Sequence, residues 1–227
     1  MNKVLVLHGW AYSTDKWAEF IKLMQRKTTV ELLKIPGLTE KINEVWNLDR
    51  YIDWLKVKVG KEKSKVILIG HSNGGRISAS FAAKYPQNLS KLILIDSAGI
   101  YHNELPIRIK RLVFKIIAKI GKRITASETL KRALYKLSKE EDYQNAPPLV
   151  RETMVNLITT DITAQLNLIK IPTLIIWGQD DKITPLSDGI LMHKLIKESK
   201  MKIIKGARHC PQFTNAGEVV KEIYEYL

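Results

Sequence analysis

The clearest chemical signal in the chain is Ser72, which stands in the glycine-flanked turn GHSNG. The apolar, β-branched run 66–69 before it predicts a strand buried on both faces, and residues 76–83 after it predict a helix. A serine in so tight a turn must take an uncommon backbone conformation, and the glycines remove Cβ atoms that would clash. The hydroxyl would then project above a sheet at a helix N-terminus, where free N–H groups favour a developing oxyanion. This stretch predicts nucleophilic chemistry at Ser72.

The order strand, serine turn and helix resembles the nucleophile elbow of the α/β-hydrolase superfamily. The resemblance implies that the backbone N–H groups of Asn73 and Trp10 form the oxyanion hole. Trp10 ends an HGW turn directly after the apolar run 4–7, the first predicted strand. Losing one such backbone donor typically costs about a hundredfold to a thousandfold in rate. We interpret His8 as a residue that orients this turn.

Two later loops match the superfamily's acid and base positions. The segment WGQDDKITP resembles its W-G-x-x-D-x-x-x-P loop and implies that Asp181 is the triad acid. Asp180, in the same turn, and Asp96, at the end of an earlier predicted strand, are weaker candidates. His209 follows the last predicted strand, so the order Ser72, Asp181, His209 matches the superfamily's order of serine, acid and histidine.

A serine hydroxyl is a poor nucleophile at neutral pH and needs a base within hydrogen-bond reach. The resemblance implies that His209 takes the proton of Ser72 and that Asp181 fixes the imidazole tautomer. An alcohol or thiol would leave, and water would then release the acid. This chemistry requires no metal or organic cofactor, and the five histidines and one cysteine show no zinc-ligand spacing.

The walls of the substrate pocket are predicted at three places. Ala11 and Tyr12 follow the oxyanion turn, Ile183 lies beside the acid loop, and Cys210 follows the base. For Cys210, the alternative is a small, buried apolar role.

The apolar runs predict an α/β fold: a doubly wound, mostly parallel sheet of about six strands with helices on both faces. Many superfamily members have two further strands before the HGW turn, so this sheet should lack the usual first two. Residues 100–170 are too long for an ordinary connection and carry helical patterns, which predict an inserted α-helical cap. The hydrolase core would then comprise residues 1–99 and 171–227. The first cap helix is basic on its polar side, which leaves a membrane-surface helix as an alternative.

Composition limits the partners and the compartment. The formal net charge is +14, but the basic residues are spread over the chain without an aromatic-interleaved cluster, so we predict a solvated surface and no nucleic acid. A single cysteine excludes an internal disulfide framework and fits a reducing compartment. The apolar start is interpreted as a core strand, and no stretch approaches membrane-span length. We expect a cytoplasmic monomer or homodimer without stable membrane insertion.

The most economical function is hydrolysis of small to medium carboxylic esters, a small-molecule substrate class. Serine at the elbow argues against the superfamily's dehalogenases and epoxide hydrolases, which attack with a carboxylate. Thioesterases, lactonases, carbon–carbon bond hydrolases and peptidases share the triad and differ in the cap. A ligand sensor with little turnover and a membrane-associated lipase remain alternatives, because fold alone does not separate them.

Overall fold

Six parallel strands form one sheet within the part of the chain that the structure describes. This computed structural model describes residues 3–10, 13–102 and 146–227. The strands are β1 (Val4–Leu7), β2 (Val30–Leu32), β3 (Val66–His71), β4 (Leu89–Ile95), β5 (Thr173–Gly178) and β6 (Ser199–Ile204). Their order across the sheet is β2-β1-β3-β4-β5-β6, which confirms the predicted α/β fold with a six-stranded parallel sheet.

Helices cover both faces of this sheet. Successive strand residues point to opposite faces, so Leu5 and Leu68 join one buried cluster while Val4 and Ile67 join the other. Burial on both sides explains why the inner strands β1, β3 and β5 are apolar runs without polar alternation. The helices of the described residues are α1 (Ala18–Met24), α2 (Leu48–Val59), α3 (Asn73–Lys84), α4 (Pro148–Thr159), α5 (Thr163–Leu166), α6 (Leu186–Leu195), α7 (Pro211–Thr214) and α8 (Ala216–Tyr226).

Two elements near the N-terminus are shorter than the sequence predicts. The run 29–35 predicts a seven-residue strand, but β2 spans three residues because it lies at the sheet edge and its neighbour β1 has only four. The helix expected up to about residue 25 begins instead as a short 3-10 turn, Asp15–Trp17, and continues as α1.

The strand order indicates where a ligand would bind, namely at the carboxyl ends of the central strands. The chain runs outward from β1 to β2 and then returns to β3 on the other side of β1. Ligands of open α/β sheets bind outside the carboxyl ends of the strands at such a reversal. The HGW turn after β1 and the serine turn after β3 both lie there.

The predicted cap is described only in its last part. Residues 103–145, which include the first two predicted cap helices, lie outside the described residues, so the boundaries 100–170 stay a prediction. The sequence predicts a third cap helix after Pro147 and Pro148, with Val150 and Leu157 on its apolar face, and this helix is present as α4. Its Thr153 hydroxyl accepts a hydrogen bond from the backbone N–H of Trp46 at 2.9 Å, and Asn156 Nδ2 donates to the Trp46 carbonyl at 3.2 Å. These bonds tie α4 to the loop before α2. Among the described helices, none combines the length and apolar character needed to span a bilayer.

Candidate active site

Ser72 occupies a strained turn between β3 and α3. Its φ is 53° and its ψ is −122°, a backbone conformation that residues other than glycine rarely adopt. The sequence predicts such an uncommon conformation from the tight turn. A Cβ on Gly70 would lie 2.6 Å from the carbonyl oxygen of Gly74, and one on Gly74 would lie 2.3 Å from that of Leu7. The glycines therefore let the start of α3 pack closely against the ends of β3 and β1, with Ser72 in the turn between β3 and α3.

The HGW turn lies directly against this serine. A Cβ on Gly9 would be 2.8 Å from Ser72 Cβ. His8 is fully buried, and its Nδ1 and Nε2 lie 2.7 Å from the Gly9 carbonyl and 3.3 Å from Thr39 Oγ1. Burial lowers the pKa of His8, so it serves this turn as a neutral ring. Trp10 follows, half-buried, at the position proposed for an oxyanion donor.

His209 joins the serine to an aspartate. Its Nε2 lies 3.0 Å from Ser72 Oγ, and its Nδ1 lies 2.8 Å from Asp181 Oδ2. Its backbone carbonyl also accepts a hydrogen bond from His71 Nε2 at 2.8 Å. Burial, and secondarily the charge of His209, lowers the pKa of His71 to about 3, so His71 is a neutral donor that holds the loop after β6. The structure thus brings together the three residues that the sequence assigns to a triad.

Asp181 is enclosed by donors from its own loop. Its Oδ1 accepts the backbone N–H groups of Ile183 at 2.7 Å and Thr184 at 3.1 Å, and its Oδ2 accepts the Thr184 hydroxyl at 2.7 Å. Burial alone would raise the pKa of Asp181, but hydrogen bonds from His209 and Thr184 outweigh it and lower the pKa below its ordinary value. Asp181 is therefore an ionised acceptor for the imidazole.

Gly178 allows the acid loop to reach the base loop. A Cβ at this position would lie 2.4 Å from the carbonyl oxygen of Arg208 and 2.7 Å from that of Ala207. The two loops are also joined by a hydrogen bond from the backbone N–H of Asp180 to the Ala207 carbonyl at 2.9 Å. Asp180 itself is exposed, which fits its interpretation as a turn residue.

Asp96, the weaker acid candidate, lies close by but has a different role in the structure. Its Oδ1 accepts the backbone N–H of Gly178 at 2.7 Å, so it ties the end of β4 to the start of the acid loop. Burial, and to a smaller extent the charge of Asp181, raises the pKa of Asp96 to about 8 against the lowering effect of the Gly178 hydrogen bond. Asp96 is accordingly a neutral acid at pH 7.

Three groups near the serine have potential ligand atoms within 4.8 Å of one another: His71, Asp96 and His209. Most of these atoms already have partners, since His71 Nε2 bonds to the His209 carbonyl, the His209 ring bonds to Ser72 and Asp181, and Asp96 Oδ1 accepts the Gly178 N–H. A metal would have to displace these bonds, so the donor set does not fit a metal ion.

The predicted pocket residues divide into two groups. Ile183 is 71% exposed beside Asp181, and Cys210 is half-buried with its Sγ 3.9 Å from His71 Nε2. Ala11 and Tyr12 lie outside the described residues, and all four stay predictions as pocket walls. Sequence reasoning did not single out the Thr184 hydroxyl, although a threonine three residues after a turn aspartate is a recognisable signal for a local side-chain bond.

The family model of the serine aminopeptidases of family S33, Hydrolase_4, matches residues 41–213. The 2-hydroxy-6-oxo-6-phenylhexa-2,4-dienoate hydrolase of Comamonas testosteroni is 24% identical in an alignment 253 positions long, which covers 99% of this chain and 87% of that protein. The monoacylglycerol lipase ABHD6 of Mus musculus is also 24% identical, over 99% of this chain and 75% of the lipase.

The chain superposes with a TM-score of 0.76 on the crystal structure of a protein from Acinetobacter baumannii AYE that is described as a putative lipase. The identity is 21%, and the match covers 99% of this chain and 83% of that one. At this identity the likeness supports the fold alone.

Proposed function

Because the chain belongs to the Hydrolase_4 family of α/β-hydrolases, we propose that it is a serine hydrolase that cleaves carboxylic esters through Ser72, His209 and Asp181. The observation that carries the proposal is the continuous hydrogen-bonded path from Ser72 Oγ through the His209 ring to Asp181 Oδ2, with distances of 3.0 and 2.8 Å. A nucleophile within reach of a base that is itself oriented by a third group is the arrangement that acyl transfer needs.

In the proposed reaction, Ser72 Oγ attacks the ester carbonyl while its proton moves to His209 Nε2. The carbonyl oxygen becomes an oxyanion beside the backbone N–H groups of Trp10 and Asn73. When the tetrahedral intermediate collapses, His209 gives its proton to the leaving alcohol and an acyl-enzyme remains. Water, deprotonated by His209, then attacks the acyl carbon and the second collapse returns the proton to Ser72.

The geometry supports each of these assignments. Asp181 is ionised and bonded to Nδ1, which favours the tautomer in which Nδ1 donates to Asp181 and Nε2 faces the Ser72 hydroxyl. Gly9 lies against Ser72, so the HGW turn is adjacent to the side chain of the attacking residue. Ser72 also stands at the start of α3, whose dipole favours the developing negative charge.

A steady-state ester series tests this function. Purified protein is assayed on p-nitrophenyl acetate, butyrate and octanoate, with Ser72→Ala as the matched control. Sustained hydrolysis that Ser72→Ala removes is expected. A single burst of p-nitrophenol without further turnover would instead support the alternative of a ligand sensor.

The similarity to a 2-hydroxy-6-oxo-6-phenylhexa-2,4-dienoate hydrolase favours carbon–carbon bond hydrolysis as a second candidate. The same serine, histidine and aspartate would serve both reactions. Parallel assays with that dienoate and with p-nitrophenyl butyrate distinguish the two, and a kcat/KM at least tenfold higher for the dienoate would reassign the substrate class.

A further inference from the structure

The hydroxyl of Thr184 lies where the acid and the base meet. Its Oγ1 is 2.7 Å from Asp181 Oδ2, 3.2 Å from His209 Nδ1 and 3.2 Å from the backbone carbonyl oxygen of Asp96. Thr184 is buried, so water does not compete freely for these contacts. No step of the proposed reaction uses this hydroxyl.

The hydroxyl has one proton, and the Asp181 carboxylate is its shortest and strongest acceptor. His209 Nδ1–H donates to the same Oδ2, at 2.8 Å. Oδ2 therefore divides its negative charge between two donors, while Oδ1 accepts two backbone N–H groups. Thr184 competes directly with His209 for one carboxylate oxygen.

The backbone holds Thr184 in this position. The Thr184 carbonyl accepts a hydrogen bond from the indole N–H of Trp177 at 2.9 Å, and the backbone N–H of Thr184 donates to Asp181 Oδ1 at 3.1 Å. Trp177 is fully buried at the end of β5, so the loop is anchored to the sheet core. The hydroxyl is thus fixed before any substrate binds.

We propose that Thr184 is a positioning residue of the active site, whose hydroxyl orients Asp181 and shares its Oδ2 with His209, so that it sets the pH at which His209 becomes available as a base. This inference rests on the proposed function. A hydrogen bond to a carboxylate disperses its charge, so the bond from Thr184 weakens the stabilisation that Asp181 gives to a protonated imidazole. Among the described residues, two other titratable groups face the His209 ring, namely His71, whose ring centroid is 5.0 Å away, and the Asp96 carboxyl, and a substitution at Thr184 removes neither.

Removing the hydroxyl has two expected consequences. Oδ2 would bond to His209 alone, so the protonated ring would be stabilised and the base would become available only at higher pH. Asp181 would also lose one of the donors that fix its orientation, which lowers the rate at every pH. Thr184→Val removes the hydroxyl while keeping the branched shape, and Thr184→Ser keeps the hydroxyl.

The test measures how fast Ser72 reacts with an alkyl fluorophosphonate between pH 5 and pH 9, by intact mass. In this reaction Ser72 Oγ bonds to phosphorus, fluoride leaves and the proton passes to the base, so the rate reports the base without a natural substrate. For Thr184→Val we expect the half-maximal pH to rise by about half a unit to one unit. We expect its plateau rate to fall about threefold to tenfold, with Thr184→Ser close to the wild type.

Two results would overturn the proposal and are distinguishable. If Thr184→Val is folded by circular dichroism and its pH profile superimposes on that of the wild type, Thr184 is only structural and the proposed function still stands. If wild-type Ser72 is not labelled at any pH, the proposed function fails together with this inference. Should Thr184→Val not fold, the pair Thr184→Ala and Thr184→Ser gives the same comparison, and the same upward shift is expected for Thr184→Ala.

Discussion

Two buried aspartates follow neighbouring strands at the same edge of the sheet, yet they differ in protonation. Asp181, in the loop after β5, receives hydrogen bonds from His209, Thr184 and Ile183, and its pKa is lowered although burial acts to raise it. Asp96 lies directly after β4, and its carboxyl oxygen Oδ1 accepts a hydrogen bond from the backbone N–H of Gly178. Burial raises the pKa of Asp96 to about 8. Hydrogen-bond donors, more than depth of burial, decide which carboxyl is charged.

The two carboxyl groups have different tasks within one small region. An ionised carboxylate can orient an imidazole and stabilise its protonated form, and a neutral one can hold two loops together without adding charge beside the base. Asp96 does the second, because its Oδ1 connects the end of β4 with the start of the acid loop. The following changes test this division.

The largest effect is expected from exchanging the charged carboxyl for an amide. Asp181→Asn leaves a neutral group against His209 Nδ1 and favours the wrong tautomer, so kcat should fall by about 10⁴. Asp96→Asn keeps an oxygen for the Gly178 N–H and should change kcat by less than about tenfold. Both are measured with p-nitrophenyl butyrate, and a greater loss in Asp96→Asn than in Asp181→Asn would reverse the assignment of the two residues.

A smaller effect is expected where the two loops meet. Gly178→Ala introduces a Cβ 2.4 Å from the Arg208 carbonyl oxygen and should push the acid loop away from His209. A displacement of about 1 Å in an active site can cost about a hundredfold, so we expect a loss of tenfold to a hundredfold in kcat. Gly217→Ala is the control, because nothing lies within 4 Å of the Cβ it adds. Equal activity of the two variants would show that the close approach at Gly178 is unimportant.

The neutral carboxyl should also be visible in the pH dependence of stability. The unfolded chain loses the Asp96 proton near its ordinary pKa of 3.8, whereas the folded protein keeps it until the pKa of about 8. Above pH 4 the folded state therefore binds the Asp96 proton more tightly than the unfolded chain does, so titration of this group alone lowers the stability of the wild type as pH rises and has no further effect above about pH 8. Relative to the wild type, the free energy of unfolding of Asp96→Asn should rise by up to about 1.4 kcal/mol per pH unit in this window. Urea unfolding at pH 5, 6 and 7 measures the difference, and a constant difference would mean that Asp96 is ionised.

The last prediction concerns the thiol next to the base, where no effect on catalysis is expected. Burial first, and then the charges of Asp96 and Asp181, raise the pKa of Cys210 to about 11. At pH 8 its alkylation by iodoacetamide should be roughly a hundredfold slower than that of a free thiol, because the thiolate reacts. Cys210 is the single cysteine, so the intact mass reports it alone and Cys210→Ser is the blank. Rapid alkylation of the folded protein would show that the two carboxyls and burial do not suppress the thiolate.

The sequence predicts the sheet and the positions of the three proposed triad residues for the same physical reason. Each residue lies in a turn or loop after a predicted strand, and the carboxyl ends of parallel strands lie at the same end of a sheet, so Ser72, Asp181 and His209 are expected close together. The bonds made by Thr184 and by Asp96 depend on irregular loop conformations, which have no periodic signal in a sequence. The opposite protonation of the two aspartates was likewise not predictable, because it depends on donors contributed by those loops.

The short β2 shows a different limit of sequence reasoning. Five of the seven residues 29–35 are apolar or β-branched and predict a longer strand, but the length of an edge strand is decided by its one neighbour, and β1 ends after Leu7. Pairing between distant segments therefore overrides local preference at this edge.

The most direct test of the central claim is peptide mapping after reaction with a fluorophosphonate, on the wild type, Ser72→Ala and His209→Ala. We predict one adduct, on Ser72, that is absent in Ser72→Ala and forms at least about a thousandfold more slowly in His209→Ala. Sustained ester hydrolysis by a protein whose Ser72 stays unmodified would contradict the account.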